Sequence, residues 1–294
     1  MGVCARVAVR GGAQARQVAR DLGCELVQGT AAALARAPYP SLLVIDDPCR
    51  REAESWCLAF GRAHVPVASI HDLGLAYCGA DLTIDGSVTQ RGRRPGGAAL
   101  VGPRFAILTP AGTGAARARA GGPVLIALGG GRRRQVALAL AAAIRRDHAG
   151  LHVRIAGGFG PRVPAHAPEG VSWLRAPADL APALTEAAVV VTGGGVTLYE
   201  ACRAGAPAVG VAVVPAQRPA IEALARRGAV LDGGTTRTIG AAVRQVTRVI
   251  EQASLRRNLA RRAARLIDGR GAARVARALL ALGARADVGK ERRP

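Results

Sequence analysis

Lysine is almost missing from this chain. Of its 41 basic residues only Lys290 is not arginine. Aromatic residues make up 3% of the sequence, three Tyr, three Phe and two Trp, too few for a platform on which nucleic-acid bases stack. No Cys-x-x-Cys pair occurs. The six cysteines, Cys4, Cys24, Cys49, Cys57, Cys78 and Cys202, fit no metal-site spacing, so they read as isolated reduced thiols of a cytoplasmic protein. No apolar run reaches the ~18 residues that a membrane-crossing helix needs. The opening Met1-Gly-Val-Cys-Ala-Arg6 lacks the apolar stretch of a secretory leader.

What is present is alanine, glycine, valine, leucine and arginine. The 294 residues are 50% apolar, enough for two cores of ordinary size. The net charge is +21, but the arginines are spread along the chain, and no zinc-finger or RNA-recognition spacing accompanies them. No specific nucleic-acid partner is expected. A small phosphorylated molecule would still be drawn to such a surface.

Short Val/Leu/Ile runs alternate with Ala/Leu/Arg segments of helical character, the pattern of parallel α/β domains. Strands are expected at 6–9, 25–27, 41–45, 65–70 and 81–84, with a helix over 50–62. Residues 111–122 (AGTGAARARAGG) have no apolar periodicity and read as a linker between domains at 1–110 and 123–284. In the second domain strands are expected at 124–128, 151–156, 171–174, 188–191, 208–213 and 230–231. Helices are expected near 134–147, 179–187, 196–204, 217–227 and 238–250, then two terminal helices over 252–283 split by Asp268-Gly-Arg-Gly271. Residues 285–294 read as a frayed tail. The expected architecture is two Rossmann-like, doubly wound domains.

Two segments carry chemistry. Val189-Val-Val-Thr-Gly193-Gly-Gly195-Val-Thr197-Leu-Tyr-Glu200 is a buried strand, a glycine turn and a helix start, closed by Gly205-Ala-Pro207. Glycines there let the backbone approach an anion, toward which the first helical N–H groups point. Glu200 stands about one and a half turns into the helix, within reach of a ribose diol. Tight packing of the helix on its sheet explains the same glycines. The second segment is Val124-Leu-Ile-Ala-Leu128 followed by Gly129-Gly130-Gly131 and Arg132-Arg133-Arg134, a glycine turn with guanidinium groups that match phosphate.

The motif Gly193-Gly-Gly-Val-Thr-Leu-Tyr-Glu200, with Gly205-Ala-Pro207, Val213-Val-Pro-Ala-Gln217 and Gly228-Ala229, resembles the UDP-sugar hydrolases of pseudaminic acid biosynthesis. So do Ile70-His71-Asp72-Leu73, Gly79-Ala80-Asp81-Leu82, Gly102-Pro103-Arg104-Phe105 and Leu128-Gly129-Gly130, and the resemblance spans roughly 40–283. That family releases UDP from UDP-2,4-diacetamido-2,4,6-trideoxy-altropyranose and is similar in fold to the two-domain GT-B glycosyltransferases. The resemblance implies a UDP-sugar ligand. Gly129, Gly130, Arg132, Gly194, Gly195, Val196 and Thr197 would lie at the diphosphate, Glu200 at the ribose, Gln217 at the sugar or diphosphate, and Leu174, beside Trp173, at the uracil. It implies no metal and no other cofactor, since helix N-termini and arginines can offset the diphosphate charge.

One departure stands out. The family opens with a strand and a Gly-x-Gly-His loop whose histidine activates water, and no such motif occurs here. The first domain is therefore expected to lack its first strand–helix unit, through a start placed downstream of the true one or through natural shortening. Candidates for a replacement base follow the strands of the first domain: Asp46, Asp47, His71 and Asp72. For each, a turn or helix-start role is the competing reading. Three functions remain: UDP-sugar hydrolase, UDP-sugar glycosyltransferase, or a UDP-sugar-binding protein without catalysis.

Overall fold

The computed structural model describes residues 6–9, 13–21, 23–35, 40–71, 79–89, 98–109, 121–129, 133–157, 166–174 and 180–291. The first half builds β1 (Arg6–Ala8), α1 (Ala13–Asp21), β2 (Glu25–Val27), α2 (Ala31–Leu34), β3 (Leu43–Ile45), α3 (Arg50–Arg62), β4 (Val67–His71), β5 (Leu82–Asp85) and β6 (Ala98–Val101). The second half builds β7 (Val124–Ala127), α4 (Arg134–Asp147), β8 (Val153–Ala156), β9 (Val171–Leu174), α5 (Leu180–Glu186), β10 (Val189–Thr192), α6 (Val196–Arg203), β11 (Ala208–Ala212), α7 (Arg218–Arg226), β12 (Leu231–Thr235), α8 (Ile239–Glu251), α9 (Ala253–Leu266) and α10 (Gly271–Glu291). The expected linker lies almost wholly outside the described residues.

The second half forms one six-stranded parallel sheet in the order β12-β11-β10-β7-β8-β9. Its first strand sits in the middle, and the chain winds outward to one side and then to the other. Strands β7, β10 and β11 are buried along their full length, which is why their sequences run apolar without alternation. On one face Leu125, Val190 and Ala208 pack with residues of α5, α6, α7 and α9. On the other, Val124, Ile126, Val191 and Val209 pack against α4 and α8. Gly205, at φ 64°, ends α6 in a left-handed turn ahead of Pro207, which cannot continue the helix. The buried Arg256 donates to the carbonyl oxygens of Val249 and Ile250, so a cation meets the negative end of α8.

The first half is parallel too, but it falls into two pieces, a β1-β2 pair and a four-stranded sheet in the order β3-β4-β5-β6. Strand β6 was not expected from the sequence: Ala98-Ala-Leu-Val is short, half alanine and mostly exposed. Ile45, Val67, Ala53, Cys57 and Phe60 build the core between this sheet and α3. The opposite face, with Ala68, Leu82 and Ile84, is covered by Val275, Ala278, Leu279 and Leu282 of α10. Thus α10 leaves the half in which its sequence lies and roofs the other. It also runs on to Glu291, across most of the stretch read as a frayed tail. Gly271 opens it, with backbone so close to Ala106 that no side chain fits between them.

Candidate functional site

The strand order reverses between β7 and β10, and an open parallel sheet binds its ligand at the carboxyl ends of the strands at that point. Both glycine turns leave the sheet there. The Thr192 hydroxyl donates to the Ala127 carbonyl at 2.7 Å and stitches the two strand ends together. Gly129 then turns away at φ 86°, a left-handed conformation. The half-buried Arg133 precedes α4 and holds its guanidinium over this turn, with Nη1 3.8 Å from where a Cβ of residue 129 would stand. Gly130 and Arg132 lie outside the described residues.

The turn Gly193-Gly194-Gly195 serves two purposes. A Cβ at Gly194 would lie 2.6 Å from the Gln217 carbonyl oxygen, and one at Gly193 would lie 3.1 Å from Gln217 Oε1. These two glycines let the segment after β11 press onto the turn. Gly195 has open space, the nearest atom to a Cβ there being Gln217 Nε2 at 3.9 Å. It caps α6 without a side-chain hydrogen bond. The first hydrogen bond of the turn runs from the Leu198 N–H to the Gly195 carbonyl, so the N–H groups of Val196 and Thr197 stand ahead of it at the positive end of the helix.

Gln217 is tied inward. Its Oε1 accepts the Val213 N–H at 3.0 Å, closing the chain between β11 and α7. The neighbouring Arg218 is committed as well: it grips Asp232 of β12 with both Nη atoms and reaches Glu222 through Nε. The Asp232 hydrogen bonds, ahead of the contribution of Glu222, raise the Arg218 pKa above its ordinary value.

Glu200 differs from both. It is half-buried, and among the described residues its carboxylate has neither an ion pair nor a hydrogen bond. Arg203, three residues further along α6, donates to the Thr109 carbonyl at 2.8 Å. Two of the exposed large apolar side chains, Val196 and Val214, stand on the same rim. The edge thus presents N–H donors, a guanidinium, an unengaged carboxylate and apolar walls, a set suited to a diphosphate joined to a ribose.

Other sequence candidates lie elsewhere. Leu174 ends β9, two strands from β7, with its side chain in the core. The face of Trp173 is covered by the Arg134 guanidinium, 5.7 Å from the ring centroid. Asp47 accepts the Cys49 N–H at 2.8 Å and shapes the entry to α3. His71 ends β4, and its Nε2 lies 3.0 Å from Ser69 Oγ. Asp72 is outside the described residues. Sequence reading missed Thr192, and it missed Tyr199, whose OH accepts the Val88 N–H from the first half at 2.9 Å. A buried tyrosine hydroxyl demands a partner, but sequence does not name it.

No protein-family model and no curated protein matches the chain. Solved structures do. The spinosyn forosaminyltransferase SpnP aligns over 94% of this chain and 91% of its own, with a TM-score of 0.66 at 17% identity. MurG from Acinetobacter baumannii aligns over 90% and 87%, with a TM-score of 0.64 at 15% identity. The fold is GT-B. A further GT-B neighbour, the spinosyn rhamnosyltransferase SpnG complexed with thymidine diphosphate, aligns over 87% of this chain and 73% of its own, with a TM-score of 0.58 at 17% identity. Among the described residues of this GT-B chain no three His, Cys, Asp or Glu side chains converge as metal ligands. Nor is any described helix long and apolar enough to cross a membrane.

Proposed function

We propose that the chain binds a nucleoside diphosphate sugar, of the UDP type, at the β7/β10 edge and transfers its glycosyl group to an acceptor. One observation carries the reading: Glu200 is half-buried and, among the described residues, unengaged, on the helix whose N-terminus opens at the glycine turn. A carboxylate taken from water needs compensation, and a ribose diol supplies two donors. The glycine turn and Arg133 supply donors and charge for the diphosphate. The glycosyltransferase folds among the neighbours favour an acceptor hydroxyl as the nucleophile.

A second reading has water as the nucleophile and a UDP-diacetamido-trideoxyhexose as the donor. It is favoured by the resemblance of the segments at 70–85, 102–108 and 193–229 to the pseudaminic acid hydrolases. UDP released from that donor in the absence of any acceptor selects this reading over transfer.

Calorimetry tests the binding step. UDP is expected to bind, and dTDP, which lacks the ribose 2′-hydroxyl, to bind more weakly. Glu200→Ala is expected to cost about 1–3 kcal/mol of UDP affinity, the scale of hydrogen bonds to a charged group, and to abolish the preference for UDP. Equal affinities of wild type and variant for UDP would remove Glu200 from the site. No heat with millimolar UDP would sink the reading.

A further inference from the structure

Six polar or charged side chains are buried among the described residues, and four of them, Ser69, Thr83, Asp85 and Ser87, stand together at the carboxyl end of β4 and β5. The two strands are parallel, with Ser69 opposite Thr83 and His71 opposite Asp85. Side chains alternate along a strand, so these four share one face about 4.8 Å apart from strand to strand. The intervening Ala68, Ile70, Leu82 and Ile84 point the other way, into the core under α10. Lower on the polar face, Ile45 and Val67 meet α3. The polar group begins where that apolar cover ends.

Stability alone does not account for the group. The Thr83 Oγ1 is buried and has no hydrogen-bond partner among the described residues, at a cost of about 1–3 kcal/mol. Asp85 is wholly buried, and a carboxylate there costs more than the apolar residue that would otherwise complete the sheet. Its Oδ1 accepts the Ser87 N–H at 2.8 Å. The following loop is held in place. A Cβ at Gly86 would lie 2.5 Å from Ala106 Cα, and the Val88 N–H bonds Tyr199, the residue before Glu200. One turn of chain therefore joins Asp85 to the helix of the nucleotide edge. His71, only half-buried, is the member of the group that faces outward.

We infer that His71 is the proton acceptor that the first half contributes, with Ser69 as its positioning residue and Asp85 as the charge on the neighbouring strand. The inference rests on the nucleotide-sugar reading above. In this role the Nε2–H of the neutral ring donates to Ser69 Oγ, and Nδ1 has no partner among the described residues. As the acceptor oxygen forms its bond to the anomeric carbon, its proton passes to Nδ1. The bond from that carbon to the diphosphate oxygen breaks, and its electron pair leaves with the nucleotide. Asp85 offsets the charge of the resulting imidazolium from the neighbouring strand. Among the described residues Asp46 and Asp47 also stand at this end of the sheet. They follow Ile45 in β3, whose partner in β4 is Ser69, two residues before His71. The proton returns to solvent after product leaves.

The test uses the full-length protein labelled with 15N-histidine, with UDP and UDP-N-acetylglucosamine as probes. In the wild type the neutral His71 ring is expected to carry its proton on Nε2, and Ser69→Ala to mix the two tautomers. UDP-N-acetylglucosamine, with its added sugar, is expected to shift the His71 signals more than UDP does. With UDP affinity unchanged by calorimetry, His71→Gln is expected to lower UDP release from UDP-N-acetylglucosamine by about 100-fold or more, the scale of a lost acid–base group. Asp85→Asn is expected to fall between the two, with an altered pH profile. A wild-type ring protonated on Nδ1, His71 signals equally indifferent to both probes, or unchanged release in His71→Gln overturns the inference while UDP binding stands. Failure of UDP to bind at all overturns the underlying reading instead.

Discussion

The two sheets of this molecule are built on the same plan and finished differently. The second-half sheet is continuous, and its central strands, apolar but for Thr192, are buried on both faces. The first-half sheet is split, its strands are short, and a cluster of hydroxyls and a carboxylate replaces its apolar surface at one end. In the site proposed on the continuous sheet, backbone N–H groups at the strand ends are the binding elements. In the split sheet the chemistry rests on side chains, which must be buried at a cost and held by their neighbours.

That contrast can be broken by measurement. The largest effect is expected from truncating the two cores. Ile126→Ala, in the middle of the six-stranded sheet, should cost about 4 kcal/mol in urea unfolding, and Ile45→Ala, at the end of a three-residue edge strand, about 2 kcal/mol. Equal costs would show that the split sheet is packed as tightly as the continuous one. Next comes the glycine turn. Gly194→Ala drives a methyl group into the Gln217 backbone and should cost about 1–3 kcal/mol, whereas Gly195→Ala meets open space and should change stability by less than about 0.5 kcal/mol. A large effect at Gly195 would mean that its neighbourhood is already filled.

A smaller effect is expected at the hinge into α10. The Arg274 guanidinium hydrogen-bonds Asp268 and holds its carboxyl down at about 2. A depressed carboxylate stabilises the fold above its unfolded value of about 3.9 and loses that contribution as pH falls through about 2. Asp268 is partly exposed and screened by solvent, so Arg274→Ala should lower the urea midpoint only slightly at neutral pH. The difference should vanish in acid. Smallest in free energy, but sharp as a readout, is thiol labelling. Burial pushes the Cys202 thiol up to about 12, so in the native protein it should resist a disulfide reagent at pH 8. The half-buried Cys24 and Cys49 should react. Fast labelling of Cys202 would expose an opening motion of α6.

The same contrast governs what could be read from the sequence. In the second half, unbroken runs such as Val189-Val-Val and stops such as Gly205-Ala-Pro207 declare each element, and the expected strands and helices lie within a few residues of those observed. The glycine turns were legible as turns after strands, but that Gln217 seats onto Gly194 depends on a contact across 23 residues of sequence, which no local pattern encodes. The first half was harder. Asp47 looks the same on paper whether it takes a proton or shapes the turn into α3. Ser69 and Thr83 read as ordinary strand hydroxyls, and only the register of β4 on β5 reveals that they stand beside His71 and Asp85. The destination of α10 was hidden for a similar reason: its apolar face declares a helix that packs, without declaring on which sheet.

The placement of α10 dictates an order of assembly. Val275, Leu279 and Leu282 cover Ala68 and Ile84, although some 190 residues separate them along the chain. As the polypeptide leaves the ribosome, the amino-terminal sheet waits uncovered while the whole carboxyl-terminal half is synthesised. A segment made later closes a region made earlier, so a chain stopped short of Gly271 would present an open apolar sheet to chaperones and to other copies of itself.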